Sequence, residues 1–211
     1  MPSTTRPSTA RFVSAGPLDR PQVALTYHVS GERALVTRLL DLLEARSVRV
    51  TAFIVGSWLE ANADLASRFT AAGHELANHT YTHPTFPTLG RSDMQREVER
   101  CREVLQRITG APGDFFRASG TSNGTDDPAA VVHEVAHAAG YDTLAGFDVD
   151  PMDYADPGAS TVTNRTLASV HPGAIVSLHF GHAGTIDAMP AILDGLGARG
   201  LRPVTLGELL A

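Results

Sequence analysis

Apolar positions along the chain follow two alternating rhythms. Short, dense apolar runs at 22–28, 48–56, 74–79, 115–117, 141–150, 174–179 and 202–205 predict seven strands. Between them apolar residues recur at helical spacing, as over 32–46, where Leu35, Leu39, Leu42 and Leu43 share one face. Further helices are predicted over 57–72, 92–107, 131–139, 161–170 and 188–199, with a short one after the last strand. Gly73 and Gly110 stand where a left-handed C-cap would close a helix, and Pro128 where a first helical turn tolerates proline. This alternation predicts an α/β protein with a mostly parallel sheet. Seven βα units imply a single-domain distorted (β/α)7-type barrel over 21–211, somewhat short of eight units. Residues 1–20, with Ser, Thr, Pro and Arg but no apolar stretch, read as a disordered leader and not as a signal peptide.

Composition narrows the partners. A net charge of −6 over 211 residues gives no basic footprint for nucleic acid and no polybasic attraction to a membrane surface. No run approaches the roughly 20 apolar residues needed to span a bilayer. An export signal ahead of this sequence would make the protein extracellular; without one it would be cytoplasmic. The lone cysteine, Cys101, excludes an internal disulfide and a thiolate cluster, so any metal must be held by histidines and carboxylates.

Two constellations could do that. The run His79-Thr80-Tyr81-Thr82-His83 sets two imidazoles four residues apart, close enough to share a divalent cation. His28, His79, Arg117, Asp150 and His179 all end predicted strands, and a barrel would gather them at one rim. Separately, His133-Glu134-Val135-Ala136-His137 is a literal His-Glu-x-x-His, the helical zinc motif of metallopeptidases. It falls on a helix that the barrel puts outside, with no third ligand at a matching spacing. His182 lies just past His179 at the rim, either lining a substrate pocket or sitting in a flexible loop, whereas His74 and His171 precede strands and read as structural.

The order of these residues resembles the polysaccharide deacetylase family, with its NodB homology domain, also grouped as carbohydrate esterase family 4. His79-Thr80-Tyr81-Thr82-His83 matches its histidine motif, Phe116-Arg117 its arginine motif, Asp150-Pro151-Met152-Asp153-Tyr154 its Asp-x-x-Asp-Trp motif, and Ser177-Leu178-His179 its Leu-x-His motif. The resemblance implies the NodB barrel and a divalent metal, often zinc, on His79 and His83. It also implies His179 as the acid and Arg117 and Asp150 tuning the acid–base groups, while Tyr154, standing where the family has Trp, keeps an aromatic surface that would face a pyranose ring or pack in the core. The implied reaction removes an N-acyl group from an amino sugar, polysaccharide or small acetamide. One motif departs: where the family has Thr-Phe-Asp-Asp-Gly-Pro, this chain has Thr26-Tyr27-His28-Val29-Ser30-Gly31. Valine cannot coordinate a cation. His28 would then serve as base, or as third metal ligand, or the site would be a silent carbohydrate-binding one.

Overall fold

The computed structural model describes residues 9–121 and 123–211. In chain order its elements are β1 (Arg11–Val13), β2 (Gln22–Val29), α1 (Arg33–Ala45), β3 (Thr51–Ile54), α2 (Gly56–Ala61), α3 (Ala66–Ala71), β4 (Glu75–Asn78) and α4 (Arg91–Thr109). There follow β5 (Phe115–Phe116), α5 (Ala130–Ala138), β6 (Thr143–Ala145), α6 (Ala159–Ser169), β7 (Ile175–His179), α7 (Ala183–Ala198), β8 (Arg202–Val204) and α8 (Leu206–Leu210). The strands pair in the order β1-β6-β5-β4-β3-β2-β7, every ladder parallel, with β8 also on β2. A bridge between Val149 and Val176 draws the segment after β6 onto β7, so the sheet curls toward a barrel. The distorted α/β barrel expected from the sequence is therefore the architecture found.

Pleating decides which side chains meet the helices and which enter the barrel. On β2, Val23, Leu25, Tyr27 and Val29 lie in the apolar layer between sheet and helices, beside Val36, Leu39, Leu40 and Leu43 of α1. Ala24 faces inward with Phe53, Ala77, Phe115, Ala145 and Ile175. Thr26 and His28 follow it on the inner face, which is how a polar site comes to stand on an apolar strand. Leu206 and Leu209 of α8 join the same inner cluster and stopper the end opposite the site. That stopper is pinned by a Thr205–Glu208 capping box and by Glu75, whose carboxylate accepts from Gly207 N at 3.2 Å and Thr51 Oγ1 at 2.7 Å.

Three expectations change. Part of the expected leader belongs to the fold: Arg11–Val13 adds a strand to β6, and Ala10 and Phe12 pack on the α5 side of the core. Residues 1–8 lie outside the described residues. The helix expected over 57–72 breaks into α2 and α3, because the Asn62 amide donates to the Trp58 carbonyl at 2.9 Å and a 3₁₀ turn at Ala63–Leu65 intervenes. The long fifth strand contracts to Thr143–Ala145. Among the described residues no helix is long and apolar enough to cross a membrane.

Candidate active site at the barrel mouth

Strand ends deliver the predicted residues to one place. His28 ends β2 one residue before its close, His79 follows β4, Arg117 follows β5, and His179 closes β7 in register with His28. A cavity of about 400 Å³ opens there, lined by His28, His83, Asp150, Tyr154, His179 and His182 among others.

The hydrogen bonds fix the protonation of each ring. Arg117 lies inside the barrel, its Nε and Nη2 donating to the carbonyls of Ala145 and Gly146 at 3.0 and 2.8 Å, its guanidinium stacked over Phe53 at 4.0 Å. Nη1 donates to Thr26 Oγ1 at 2.9 Å and reaches His28 Nε2 at 3.2 Å. Guanidinium nitrogens only donate, so His28 Nε2 must accept. The His28 proton is then on Nδ1, 2.9 Å from His179 Nε2, which accepts in turn. His179 consequently carries its proton on Nδ1 and gives it to Asp153 Oδ1 at 2.7 Å. The other Asp153 oxygen accepts from His179 N at 2.8 Å and Thr185 Oγ1 at 2.6 Å. Burial, then the neighbouring His79, His179 and Arg117, hold His28 well below the usual imidazole range, which favours the neutral ring this pattern needs. Burial also draws the Arg117 guanidinium down to about 9, leaving it charged at neutral pH.

This geometry revises two assignments. His28 is not a third metal ligand here, since one nitrogen carries a hydrogen and the lone pair of the other faces Arg117; nor does that lone pair face the cavity as a base would require. Asp150, expected to tune the acid–base groups, is not the aspartate hydrogen-bonded to His179, which is Asp153. The Asp150 Oδ1 accepts from Met152 N at 2.7 Å and shapes the turn that brings Asp153 inward. Asp153, nearly fully buried, does what was expected of Asp150. It was visible as the second aspartate of Asp150-Pro151-Met152-Asp153, three residues further on.

The histidine run is held by a residue that the sequence reading missed. Glu97 of α4 accepts from the backbone N–H groups of Tyr81 and Thr82 at 2.9 and 2.7 Å and from the Thr82 hydroxyl at 2.8 Å. It steadies a turn in which Thr80 and His83 both have positive φ, 68° and 61°. His79 Nδ1 donates to the Arg117 carbonyl at 2.9 Å, so Nε2 keeps its lone pair, yet that nitrogen is buried with no partner. An unpartnered, oriented imidazole nitrogen is what a metal ligand looks like before metal. The exposed His83 ring stands 4.9 Å from His79, and the His28 ring stacks on the other side at 4.2 Å. Val29 is fully buried in the apolar layer. Among the described residues no group of three or more His, Cys, Asp or Glu side chains is arranged to hold an ion. His79 and His83 thus fit a cation as a two-donor site, and a third protein donor is missing.

The competing His-Glu-x-x-His motif is spent on surface contacts of α5. His133 Nδ1 and Nε2 face Ala10 O and Asp127 Oδ1, both at 2.8 Å, His137 pairs with Asp142 at 3.2 Å, and Glu134 pairs with Arg91. With both His133 nitrogens facing oxygen atoms and Glu134 taken up by Arg91, the motif assembles no group of three or more metal-binding side chains among the described residues, and the structure gives the peptidase reading no support. His171 is likewise held, between Pro172 O at 2.8 Å and Asp148 at 2.9 Å.

Comparison with known proteins agrees with the barrel fold. The family model described as polysaccharide deacetylase matches residues 15–144. A chitooligosaccharide deacetylase of Sinorhizobium fredii is 31% identical over 169 residues, covering 76% of this chain and 73% of the relative. A peptidoglycan-N-acetylglucosamine deacetylase of Bacillus cereus is 26% identical over 203 residues, covering 94% and 71%. Among solved structures, BA3943 of Bacillus anthracis, a CE4 family pseudoenzyme, superposes with a TM-score of 0.86 at 25% identity, covering 95% of this chain and 69% of that one.

Proposed function

The chain belongs to the polysaccharide deacetylase family, and from that premise we propose that it hydrolyses the N-acetyl group of an amino sugar within a polysaccharide or oligosaccharide. The observation that carries this reading is the buried Asp153 holding His179 at the floor of a mouth cavity that Tyr154 also lines. Two relatives are named for N-acetylglucosamine-containing peptidoglycan and for chitooligosaccharide, which supports the substrate class.

A divalent cation, zinc in the usual case, on His79 and His83 would supply positive charge to polarise the amide carbonyl. The proton work falls to His179. Once substrate parts it from His28, His179 Nε2 takes a proton from the attacking water and returns it to the departing nitrogen. The water oxygen bonds to the acyl carbon, the carbon–nitrogen bond breaks, and a free amine leaves with acetic acid, which releases its remaining proton to solvent as acetate. Asp153 keeps the His179 proton on Nδ1 and steadies the ring while it carries the extra charge. Arg117 and His28 are positioning residues.

Acetate release from tetra-N-acetyl-chitotetraose tests this, with calorimetric binding of the same sugar measured alongside. His179→Ala is expected to cost at least about a hundredfold in kcat, the range for general acid–base groups, while binding persists. No release by the wild-type protein with any of zinc, cobalt, nickel or manganese overturns the reading. A second reading, a carbohydrate-binding member without turnover, is favoured by Val29 and by the engagement of both His28 nitrogens. It expects binding without release.

A further inference from the structure

The mouth carries a second imidazole–carboxylate pair built on the same two backbone segments as the first. Asp153 and Asp156 lie three residues apart on the turn after β6, and His179 and His182 three residues apart where β7 passes into α7. His179 Nδ1 donates to Asp153 at 2.7 Å, and His182 Nδ1 to Asp156 at 2.9 Å. The inner pair is used by the mechanism above. The outer pair is not.

Several observations set the outer pair apart from ordinary surface packing. His182 occupies the N-cap position of α7, yet its side chain makes no cap hydrogen bond and turns to Asp156 instead. Asp156 adopts φ 50°, a left-handed conformation that non-glycine residues reach at a cost, and its carboxylate is 69% exposed. A pair so open to water contributes little to stability. With its proton on Nδ1, His182 keeps a lone pair on Nε2 and lines the cavity, whereas His179 Nε2 already accepts from His28. The His182 ring stands 5.8 Å from that of His179, and the half-exposed Tyr154 ring 5.5 Å from it, so the two flank the proton-transfer residue.

We propose that His182, oriented by Asp156, is a substrate-positioning residue whose Nε2 accepts a hydrogen bond from a hydroxyl of the sugar bound over His179. The pair then reads the carbohydrate rather than the acetyl group, which rests on the amino-sugar reading given above. Hydroxyls are the donors that a pyranose offers and a simple acetamide lacks.

The test compares tetra-N-acetyl-chitotetraose with acetanilide in wild type, His182→Ala, His182→Gln and Asp156→Asn. Losing one hydrogen bond predicts about a tenfold rise in KM for the tetramer in His182→Ala, with kcat falling less than KM rises. The penalty on the tetramer should exceed that on acetanilide at least about fivefold. His182→Gln, which keeps an acceptor, should recover part of the loss, and Asp156→Asn should show a smaller loss of the same kind. Equal penalties on both substrates, or a loss confined to kcat, overturn the proposal. If the wild type releases no acetate, the calorimetric Kd for the tetramer takes the place of KM. A tenfold weaker Kd in His182→Ala then upholds sugar recognition while hydrolysis fails, and an unchanged Kd overturns it.

Discussion

His28 Nδ1 and His179 Nε2 stand 2.9 Å apart, and through them Arg117 at one end is linked to Asp153 at the other. Two imidazoles bridge a buried cation and a buried carboxylate, and because one end only donates and the other only accepts, every proton between them is assigned. The expected consequence is measurable by nitrogen NMR of labelled histidine: His28 protonated on Nδ1 and bare on Nε2, the less common neutral tautomer. His28→Asn offers an acceptor to Arg117 and a donor to His179, so it should keep kcat within about tenfold of wild type. A His28 that acted as the base would instead lose the hundredfold or more typical of such groups. Loss in His28→Asn equal to that in His179→Ala would sink the assignment.

In the family motif that Thr26–Gly31 resembles, the position of Val29 belongs to a metal-binding carboxylate, and here the valine is buried among aliphatic side chains. Val29→Asp should therefore destabilise the metal-free protein, on the order of 3 kcal/mol, since it buries a carboxylate without a partner. Zinc then has a third donor beside His79 and His83, and binding to the folded state alone returns stability as RT ln(1 + [L]/Kd). Thermal melts with and without zinc should show a larger zinc-induced rise in Tm for Val29→Asp than for wild type. His79→Ala in the same background should abolish that rise. Equal zinc responses in Val29→Asp and wild type would mean that the valine position does not face the cation site.

Strand order and most of the site were legible because both rest on local patterns: apolar runs alternating with helical spacing, and polar residues at the ends of those runs. The choice between Asp150 and Asp153 was not legible. Both stand near the end of the same loop, and only the turn made by Asp150 Oδ1 on Met152 N decides which one points inward. The role of His28 was equally hidden, since it depends on a guanidinium 89 residues away along the chain. Arg11–Val13 looked like leader because three residues carry too little pattern to announce a strand; pairing with β6 is what makes it one. Glu97 escaped notice as an ordinary charge on a charged helix, although it holds the histidine turn.

The surface motif on α5 gives a negative prediction with a positive rival. Glu134 pairs with Arg91, both well exposed, so Glu134→Gln should change stability by less than about 1 kcal/mol and leave acetate release within twofold. A metallopeptidase would lose its general base in that variant. Casein hydrolysis that disappears in Glu134→Gln would reinstate the peptidase reading.

His74 sets an acid limit on the fold. Its Nδ1 accepts from Val50 N at 3.3 Å, which leaves the Nε2 hydrogen buried without a partner, and burial pulls the ring down to about 4. An unfolded chain would titrate the same histidine near 6.5. The unfolded state therefore binds the proton first as pH falls, and stability is full above about 6.5 and declines as pH drops toward about 4. Each unit of difference corresponds to about 1.4 kcal/mol, so this one residue accounts for up to about 3 kcal/mol, less whatever solvent screens. His74→Gln keeps an acceptor near Val50 N and removes the titration. Urea unfolding at pH 7.5 should find the wild type the more stable of the two, and the gap should shrink or reverse by pH 4.5. A gap that stays constant across that range would show that His74 is not the group responsible.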